Sequence, residues 1–548
     1  MSHHDVIIVG AGPTGLTLAN LLGQAGVHTL VLEKLHDLID YPRAIGIDDE
    51  ALRGMQAVGL IDEVLPHTVP FHMVRAVDAE GRVISEMNPQ TDEFGWSRRN
   101  GFIQPLVDHA LLDGLERFAN VEVRLGHELT ALEESDGKVT ATVRNVDTDE
   151  VLTFTADYLV GSEGGRSFSR TWIGAEFEGK TLARVVVVDA ENDPIGTPNA
   201  IFGAEDRSWA TFGLPHGIRR WEFLIHEHET NEEAESDAFI RKLLAEHVPD
   251  PDKVDIVRVR AYQHNARIAS KFRKGRVILA GDAAHVMPVN AGQGWNSCIR
   301  DAMNLAWKLV AVLKGHAADS LLDTYDQERR DHVKGMVNLS VTMGKTFATR
   351  GGIAEKVARR AVGVAATVLP PVKQYMSAMK FKPMPKYTRG VVVPPNVPVS
   401  KSILGAHRGN TATGKLFIQP RLSGPDGRVA LMDDLVGYNW TILAWNNDPK
   451  NLLSAETIAA FDRLGTVFAT GVPEVQRAWT QERASEGVTV LGDAQGRLKQ
   501  WFDTRPSGVI FIRPDRVVAA ESIAGTADET AQRVLRALSH RPAQTKGE

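Results

Sequence analysis

The chain has 548 residues, 43% of them hydrophobic and 24% charged, with a formal net charge of −7 and a single cysteine. That length accommodates about two to four domains with ample core, and an acidic balance without a long basic run argues against a nucleic-acid or anionic-membrane surface. The lone thiol, Cys298, excludes an intrachain disulfide and any CxxC redox or zinc motif.

The opening residues carry no charged segment before a short apolar run, so no secretory signal is expected. No apolar stretch reaches the roughly 18–20 residues of a membrane span. The nearest, Ala361–Leu369, ends in Pro370-Pro371. A cytoplasmic protein is the expectation.

Val6–Val9 is continuously apolar, as a strand buried on both faces requires. Gly10-x-Gly12-x-x-Gly15 follows and opens a helical pattern that stops near Gly26; "VHTLVLEK" is the next strand. In this βαβ unit Gly10 permits the tight turn, Gly12 lets backbone approach a pyrophosphate, and Gly15 lets helix and strand pack closely. Glu33, at the end of the second strand, is placed to hold a ribose hydroxyl. Arg43 is within reach of a dinucleotide phosphate, and Asp48 or Asp49 reads as the N-cap of a helix over 50–57.

Residues 68–160 alternate short strand and helix signals, with a hairpin at Glu80-Gly81 and two strands around Asp136-Gly137. "YLVGSEGGRSFSR" is a second strand-to-glycine turn, with Glu163 and Arg166 at a sheet edge. From about 180 to 265 the strand-rich segments "RVVVVDAEN", "WATFGLP", "RRWEFLIHE" and "VDIVRVRAY" predict an antiparallel sheet, a plausible wall for a substrate. Then "RVILAGDAAHVMPVNAGQGWNSCIRDA" repeats the strand-and-turn theme. Asp282 ends a buried strand, Pro288 stiffens a loop, and Gly292 and Gly294 free backbone amides at the start of a helix. One dinucleotide held at two places explains both glycine loops. Five prolines between 383 and 398 mark a linker, and 400–548 reads as a small separate α/β domain.

Taken together, GxGxxG at 10–15, the "DG" motif at 162–167 and the "GD" motif at 281–282 with its PxxxGQG loop resemble the flavin-dependent (group A) aromatic hydroxylases. Over about 5–400, "LIDYPRAIGIDDEALR", "TDEFGWSRRNGFIQP", "NARIASKFR" and "LLDTYDQERRDH" are similar to members acting on phenols with a propanoate or acrylate side chain. The resemblance implies an α/β fold: a Rossmann-like FAD-binding domain interleaved with an antiparallel substrate-binding sheet, plus a C-terminal thioredoxin-like domain, here without redox cysteines. The expected divisions are 1–180 and 266–382 for FAD, 181–265 for the sheet, 383–399 for the linker and 400–548 for the tail.

The resemblance also implies FAD, with NADH as co-substrate, O2, and a small phenolic acid hydroxylated ortho to its hydroxyl in aromatic catabolism. No nucleic-acid or membrane partner is implied; a homo-oligomer is compatible. Gly10, Gly12, Gly15 and Glu33 would hold the ADP half, Arg43 and Gln104 the flavin nucleotide, and Asp282 the ribitol chain. Pro288, Gly292, Gln293 and Gly294 would line the flavin ring. Glu163 stands where the family usually has Asp, and Trp295 replaces the commoner Met or Tyr.

Because the flavin carries the hard chemistry, few protein acids or bases are expected. His216, Tyr262 and His264, with Pro288 at the head of the loop, are the candidate catalytic residues. Arg219 or Arg220 is a candidate for a substrate carboxylate; on a strand at most one reaches the pocket. Trp209, Trp221 and Trp295 are candidate apolar walls. Two rivals stand: the same chemistry on another phenol or polyketide, and a flavoprotein that senses an aromatic ligand without turnover.

Overall fold

A computed structural model describes residues 2–78, 80–204, 207–347, 370–379, 381–395 and 411–538. The apolar run 361–369 and part of the expected linker lie outside these. The chain divides into two compact units. The first holds Met1–Asp92, Trp96–Ala302 and Val333–Pro383; the second holds Glu93–Gly95, Met303–His332 and Met384–Glu548.

The first unit is built on two large sheets. The first sheet runs, in spatial order, Arg273–Lys274, Val277–Leu279, Val151–Gly161, Ser2–Val9, Thr29–Leu32, Val121–Arg124. From Val277–Leu279 onward every neighbour in that path is parallel. Its central strands are apolar on both faces, and Val6, Ile7, Ile8, Leu30 and Val31 are inaccessible to solvent. The pairing register puts Leu279, Gly161, Val9 and Leu32 level across four adjacent strands. The residues that follow them, Ala280, Ser162, Gly10 and Glu33, therefore leave the sheet at one edge. The chain returns to this sheet only after it has built seven of the eight strands of the second one.

The second sheet has eight strands, ordered His285–Val286, Asp255–Ala269, Phe177–Glu191, Arg219–Ile225, Ser208–Gly213, Ala200–Ala204, Val74–Val77, Val83–Met87. Its boundaries differ from the expected 181–265, because the hairpin of residues 74–87 joins its far edge. That junction, between Ala200–Ala204 and Val74–Val77, is parallel. One face packs Val186, Val188, Trp221 and Phe223 against Ile240 and Leu244 of helix Asp237–Leu244. Full burial of such side chains stabilises by roughly 1.5–3 kcal/mol each. The other face carries Val74, Ala200, Ala210 and Phe212. A small sheet, ordered Gly46–Asp48, Arg99–Phe102, Thr68–Pro70, completes the frame.

In the second unit a seven-stranded sheet runs Val429–Leu431, Arg421–Ser423, Val488–Asp493, Val467–Pro473, Thr441–Trp445, Val509–Ile512, Val518–Ser522. Apolar clusters cover it, one including Ile442, Phe461 and Phe511 and another Leu443, Leu491 and Trp501. A buried polar knot also stands in this unit. Glu328 accepts from both Arg513 Nη atoms at 2.8 Å, from Lys308 Nζ at 2.8 Å and from Asn304 Nδ2 at 2.7 Å. The helical spacing predicts an apolar stripe through Ile299, Ala302, Ala306 and Leu309. Those residues are buried, but so are Asp301, Asn304 and Lys308 of the same helix. A helix enclosed on several sides must satisfy its polar residues internally.

Candidate functional site

The shared edge of the first sheet gathers three turns. Gly10 has φ +106°, and a Cβ there would lie 2.4 Å from the Ser162 carbonyl oxygen. A Cβ on Gly15 would lie 2.0 Å from the Gly10 carbonyl oxygen. Both positions demand glycine for close packing. Gly12 is different: nothing stands within 4 Å of its Cβ position, so this residue faces open space at the start of helix Pro13–Gln24. That helix has no acidic residue in its first turn, leaving the positive end of its dipole for an anion.

Glu33 sits beside the loop. Its carboxylate accepts from Ala11 N at 2.9 Å and Leu35 N at 3.0 Å. In the second turn the Glu163 carboxylate is drawn onto its own segment, accepting from Ser167 Oγ at 2.7 Å and from Ser169 N at 3.0 Å. In the third turn Gly281 has φ +61° and a Cβ there would meet Thr14 Oγ1 at 2.1 Å. Asp301 fixes this turn, accepting from Gly281 N at 2.9 Å and from His285 Nε2 at 2.7 Å. Asp282 beside it is half-buried. Among the described residues its carboxylate meets one side-chain donor, the Cys298 thiol at 3.9 Å. Burial pushes that thiol's pKa well up, so it stays protonated.

The following loop is held just as firmly. Gly292 takes the left-handed conformation at φ +60°. Asn296 Nδ2 donates to the carbonyls of Gly292 at 2.6 Å and Gly46 at 3.0 Å, and Asn296 Oδ1 accepts from Asp48 N at 3.0 Å. Gln293 accepts from Arg300 Nη1 at 3.2 Å. Arg300 belongs to a buried cluster in which Asp48, Asp49 and Glu50 face Arg98, Arg300 and Lys382. Arg300 Nε donates to Glu50 at 2.8 Å, Arg300 Nη2 to Asp48, Lys382 Nζ to Asp48 at 2.8 Å and Glu50 at 2.9 Å, and Arg98 Nε to Asp49 at 3.1 Å. Burial alone would raise the Glu50 carboxyl; the Arg300 and Lys382 cations outweigh it and hold Glu50 well below the usual carboxylate range. For Asp49 burial wins and lifts the carboxyl to about 6. The three carboxylates are close enough together to hold a metal ion, but three cations already balance them. Asp48 is the N-cap, accepting from Ala51 N at 2.9 Å.

Gln104 and Trp295 support the same region from behind. Gln104 Oε1 accepts from the backbone N of Arg43 at 3.0 Å and Ala44 at 2.7 Å, and its Nε2 donates to Asp108 at 2.9 Å. Trp295 Nε1 donates to the other Asp108 oxygen at 3.1 Å, and its ring lies 5.0 Å from that of Phe102. Arg43 itself is exposed.

A cavity opens beside Ala291 and Gln293 of this loop. Its apolar wall includes Val74, Met87 and Phe202 of the second sheet, with Met343, Met379 and Phe381 opposite. Its two cations are Arg99 and Lys382.

Several sequence candidates fall elsewhere. Arg219 is fully buried and bonded to Asp193 at 2.8 and 2.6 Å; Arg220 is bonded to Asp189 at 2.7 and 2.9 Å. Both guanidiniums are spent on structural pairs, which corrects the expectation that one meets a substrate carboxylate. Trp221 and Trp209 belong to the opposite face of the sheet, where Trp209 packs edge-on against His247 at 4.4 Å. Trp295 is only 5% exposed and is committed to Asp108 and Phe102, so it too is no cavity wall. His216 sits in an exposed turn with φ +58°, its Nε2 at 3.0 Å from His67 Nδ1, away from the cavity lining.

Tyr262 and His264 do lie on the cavity's face of the sheet by strand alternation, though not in its wall. The Tyr262 hydroxyl is bonded to Arg258, whose guanidinium stacks on Tyr41 at 3.4 Å. His264 is buried, its Nε2 unpartnered in the structure, and burial lowers its pKa to about 4. Arg99 is the residue that sequence reading missed. It stands in "WSRRNGF", where alternation sends the two arginines to opposite sides: Arg98 to Asp49, Arg99 to the cavity.

A family model described as FAD binding domain matches residues 3–340, and one described as HcaD C-terminal domain matches 414–537. Curated relatives named 3-(3-hydroxy-phenyl)propionate/3-hydroxycinnamic acid hydroxylase span nearly the whole chain. The one from Mycobacterium sp. (strain JLS) is 47% identical over 96% of this chain and 90% of its own length. That from Comamonas testosteroni is 46% identical, covering 94% of each chain. Among solved structures, the flavin-dependent monooxygenase PieE in complex with FAD and substrate has a TM-score of 0.81 at 22% identity, covering 98% of this chain and 99% of its own. Aklavinone-11 hydroxylase with FAD and aklavinone has a TM-score of 0.78 at 24% identity, covering 99% of this chain and 100% of its own.

Proposed function

The chain belongs to the FAD-binding family of flavin-dependent aromatic hydroxylases, and from that premise we propose that it ortho-hydroxylates 3-(3-hydroxyphenyl)propanoate, and 3-hydroxycinnamate, using NADH and O2. The observation that carries this reading is the apolar cavity opening on Ala291 and Gln293, beside turns shaped for a dinucleotide. Bound FAD, reduced by NADH, would supply the activation of O2, of which one atom enters the ring and the other leaves as water.

The residues fit that cofactor. Gly10 and Gly15 leave no room for side chains, while Gly12 leaves an open approach to the amides of the first helix for the pyrophosphate. Glu33 would hold the adenosine ribose and Asp282 the ribitol hydroxyls. The Pro288–Gly294 loop would line the flavin ring with its backbone. Phe202, Phe381 and the methionines of the cavity hold the phenol ring and exclude water, which protects the oxygenating step from wasteful breakdown. His264, kept neutral by burial, is the candidate to accept the phenolic proton, whereas burial raises the Tyr262 pKa and keeps its hydroxyl protonated. We place the enzyme in the cytoplasm, where NADH is available.

The test uses purified protein. It should be yellow, and 3-(3-hydroxyphenyl)propanoate should stimulate NADH oxidation with matching O2 uptake and one equivalent of catechol product. NADH oxidation that ignores the phenol and yields only hydrogen peroxide would sink the assignment. A panel of other meta-substituted phenols ranks the substrate.

A further inference from the structure

Five buried arginines and lysines of this unit are paired with carboxylates. Arg98, Arg300 and Lys382 neutralise Asp48, Asp49 and Glu50; Arg220 pairs with Asp189 and Arg219 with Asp193. Arg99 is the exception. It lines the cavity, it is partly buried, and no carboxylate pairs with it among the described residues. Burial lowers its pKa to about 10, so it remains charged at neutral pH.

The guanidinium is nevertheless fixed. Arg99 Nε donates to the His72 carbonyl at 3.1 Å, and His72 N donates to the Arg99 carbonyl at 3.0 Å. His72 Nε2 donates in turn to the Gly213 carbonyl at 2.9 Å. Burial, with Arg99 adding to it, lowers the His72 pKa to about 3, so no second positive charge stands beside the first. The bond to Nε leaves the edge formed by the two Nη atoms open among the described residues. Nη1 lies 4.0 Å from the Cβ position of Gly292, so this edge is close to the loop that borders the flavin site. A held cation without its own anion, in a largely apolar cavity, is matched by a ligand that carries one carboxylate on an apolar body.

We propose that Arg99 anchors the side-chain carboxylate of the substrate through its open Nη edge and thereby selects phenolic acids over neutral phenols. Lys382, the other cation of the cavity, is excluded from this role because Asp48 and Glu50 already hold its ammonium. The assignment rests on the reading that the cavity receives a phenolic acid.

The test compares wild-type, Arg99→Met and Arg99→Lys holoenzymes. Each is titrated with 3-phenylpropanoate, which lacks the phenol, and with 3-phenylpropanamide, its neutral counterpart, following flavin absorbance. Arg99→Met should weaken the acid by roughly 10- to 100-fold, the loss expected for charge-assisted hydrogen bonds, and leave the amide within about threefold. Arg99→Lys should fall between, because it keeps the charge without the planar fork. In turnover the KM for the phenolic acid should rise by the same factor, with kcat falling less. Acid binding in Arg99→Met within about threefold of wild type overturns the proposal, and so does an equal loss for acid and amide, which is the mark of damaged folding. Whether the phenolic acid is the substrate is decided separately by the wild-type product, so the two readings fail by different results.

Discussion

Replacing Lys382 with Met tests whether the buried charge cluster holds the site together. The Lys382 ammonium is 3% exposed as a residue and donates to Asp48 at 2.8 Å and Glu50 at 2.9 Å. Met has nearly the same length, so little cavity is created. What is lost is the charge, leaving three buried carboxylates facing two cations. Breaking a buried pair from one side costs about 3–5 kcal/mol. At roughly 2–4 °C per kcal/mol for a domain of 150–250 residues, Tm should fall on the order of 10 °C at pH 7.

The pH dependence carries a sign. In the wild type, burial works against ionised Glu50, but Arg300 and Lys382 outweigh it and depress its folded pKa. Its stabilising contribution is present above the unfolded carboxyl value and is lost as pH falls through the folded one. In Lys382→Met the folded pKa rises, so protonation relieves the variant first. The gap between the two proteins should be widest near neutrality and narrow below about pH 4.5. Thermal melts from pH 4 to 8, followed by flavin fluorescence and by circular dichroism, measure it. A Tm loss under about 3 °C at pH 7, or a gap that stays constant with pH, would refute the reasoning.

Other substitutions probe the remaining parts. Asp282→Ala removes a carboxylate with no strong partner among the described residues, so flavin content should fall while Tm of the apoprotein holds; unchanged flavin content would remove its ribitol role. Gly15→Ala forces a Cβ against the Gly10 carbonyl and should cost about 1–3 kcal/mol together with most of the bound FAD; full flavin occupancy in that variant would show that the loop yields. Trp295→Phe deletes the donor to Asp108 but keeps a ring against Phe102. It should cost about 1–2 kcal/mol and leave KM within about twofold; a tenfold KM change would return Trp295 to the substrate wall.

The cofactor side of the molecule was legible because its constraints are local. A turn on which an added Cβ would lie 2.4 Å from a neighbouring carbonyl oxygen admits only glycine, and the spacing of Gly10, Gly12 and Gly15 records this directly. The substrate side was not, because its wall is assembled from distant pieces. Residues 74–87 read as a free hairpin, and nothing local shows that Val74 pairs with Ala200. Arg219 and Arg220 read as available cations until their partners, Asp193 and Asp189 on other segments, are seen. Arg99 failed in the opposite direction. An arginine next to an arginine looks like surface charge, and only the fold shows that one is paired and the other is not.

The level register of Leu279, Gly161, Val9 and Leu32 bears on how this protein is made. Until residues 277–279 leave the ribosome, strand Val151–Gly161 lacks its parallel neighbour beyond Leu159 and presents open backbone donors and acceptors, the kind of edge that pairs with other chains. The third turn, with Asp282, arrives at the same moment. A nascent chain shorter than about 300 residues thus has the first glycine loop but only half a cofactor cradle. Flavin then acts as a late clasp on synthesis: its capture favours the chain whose last parallel strand has docked. Flavin shortage during expression should therefore raise the aggregated fraction, not merely the apoprotein fraction.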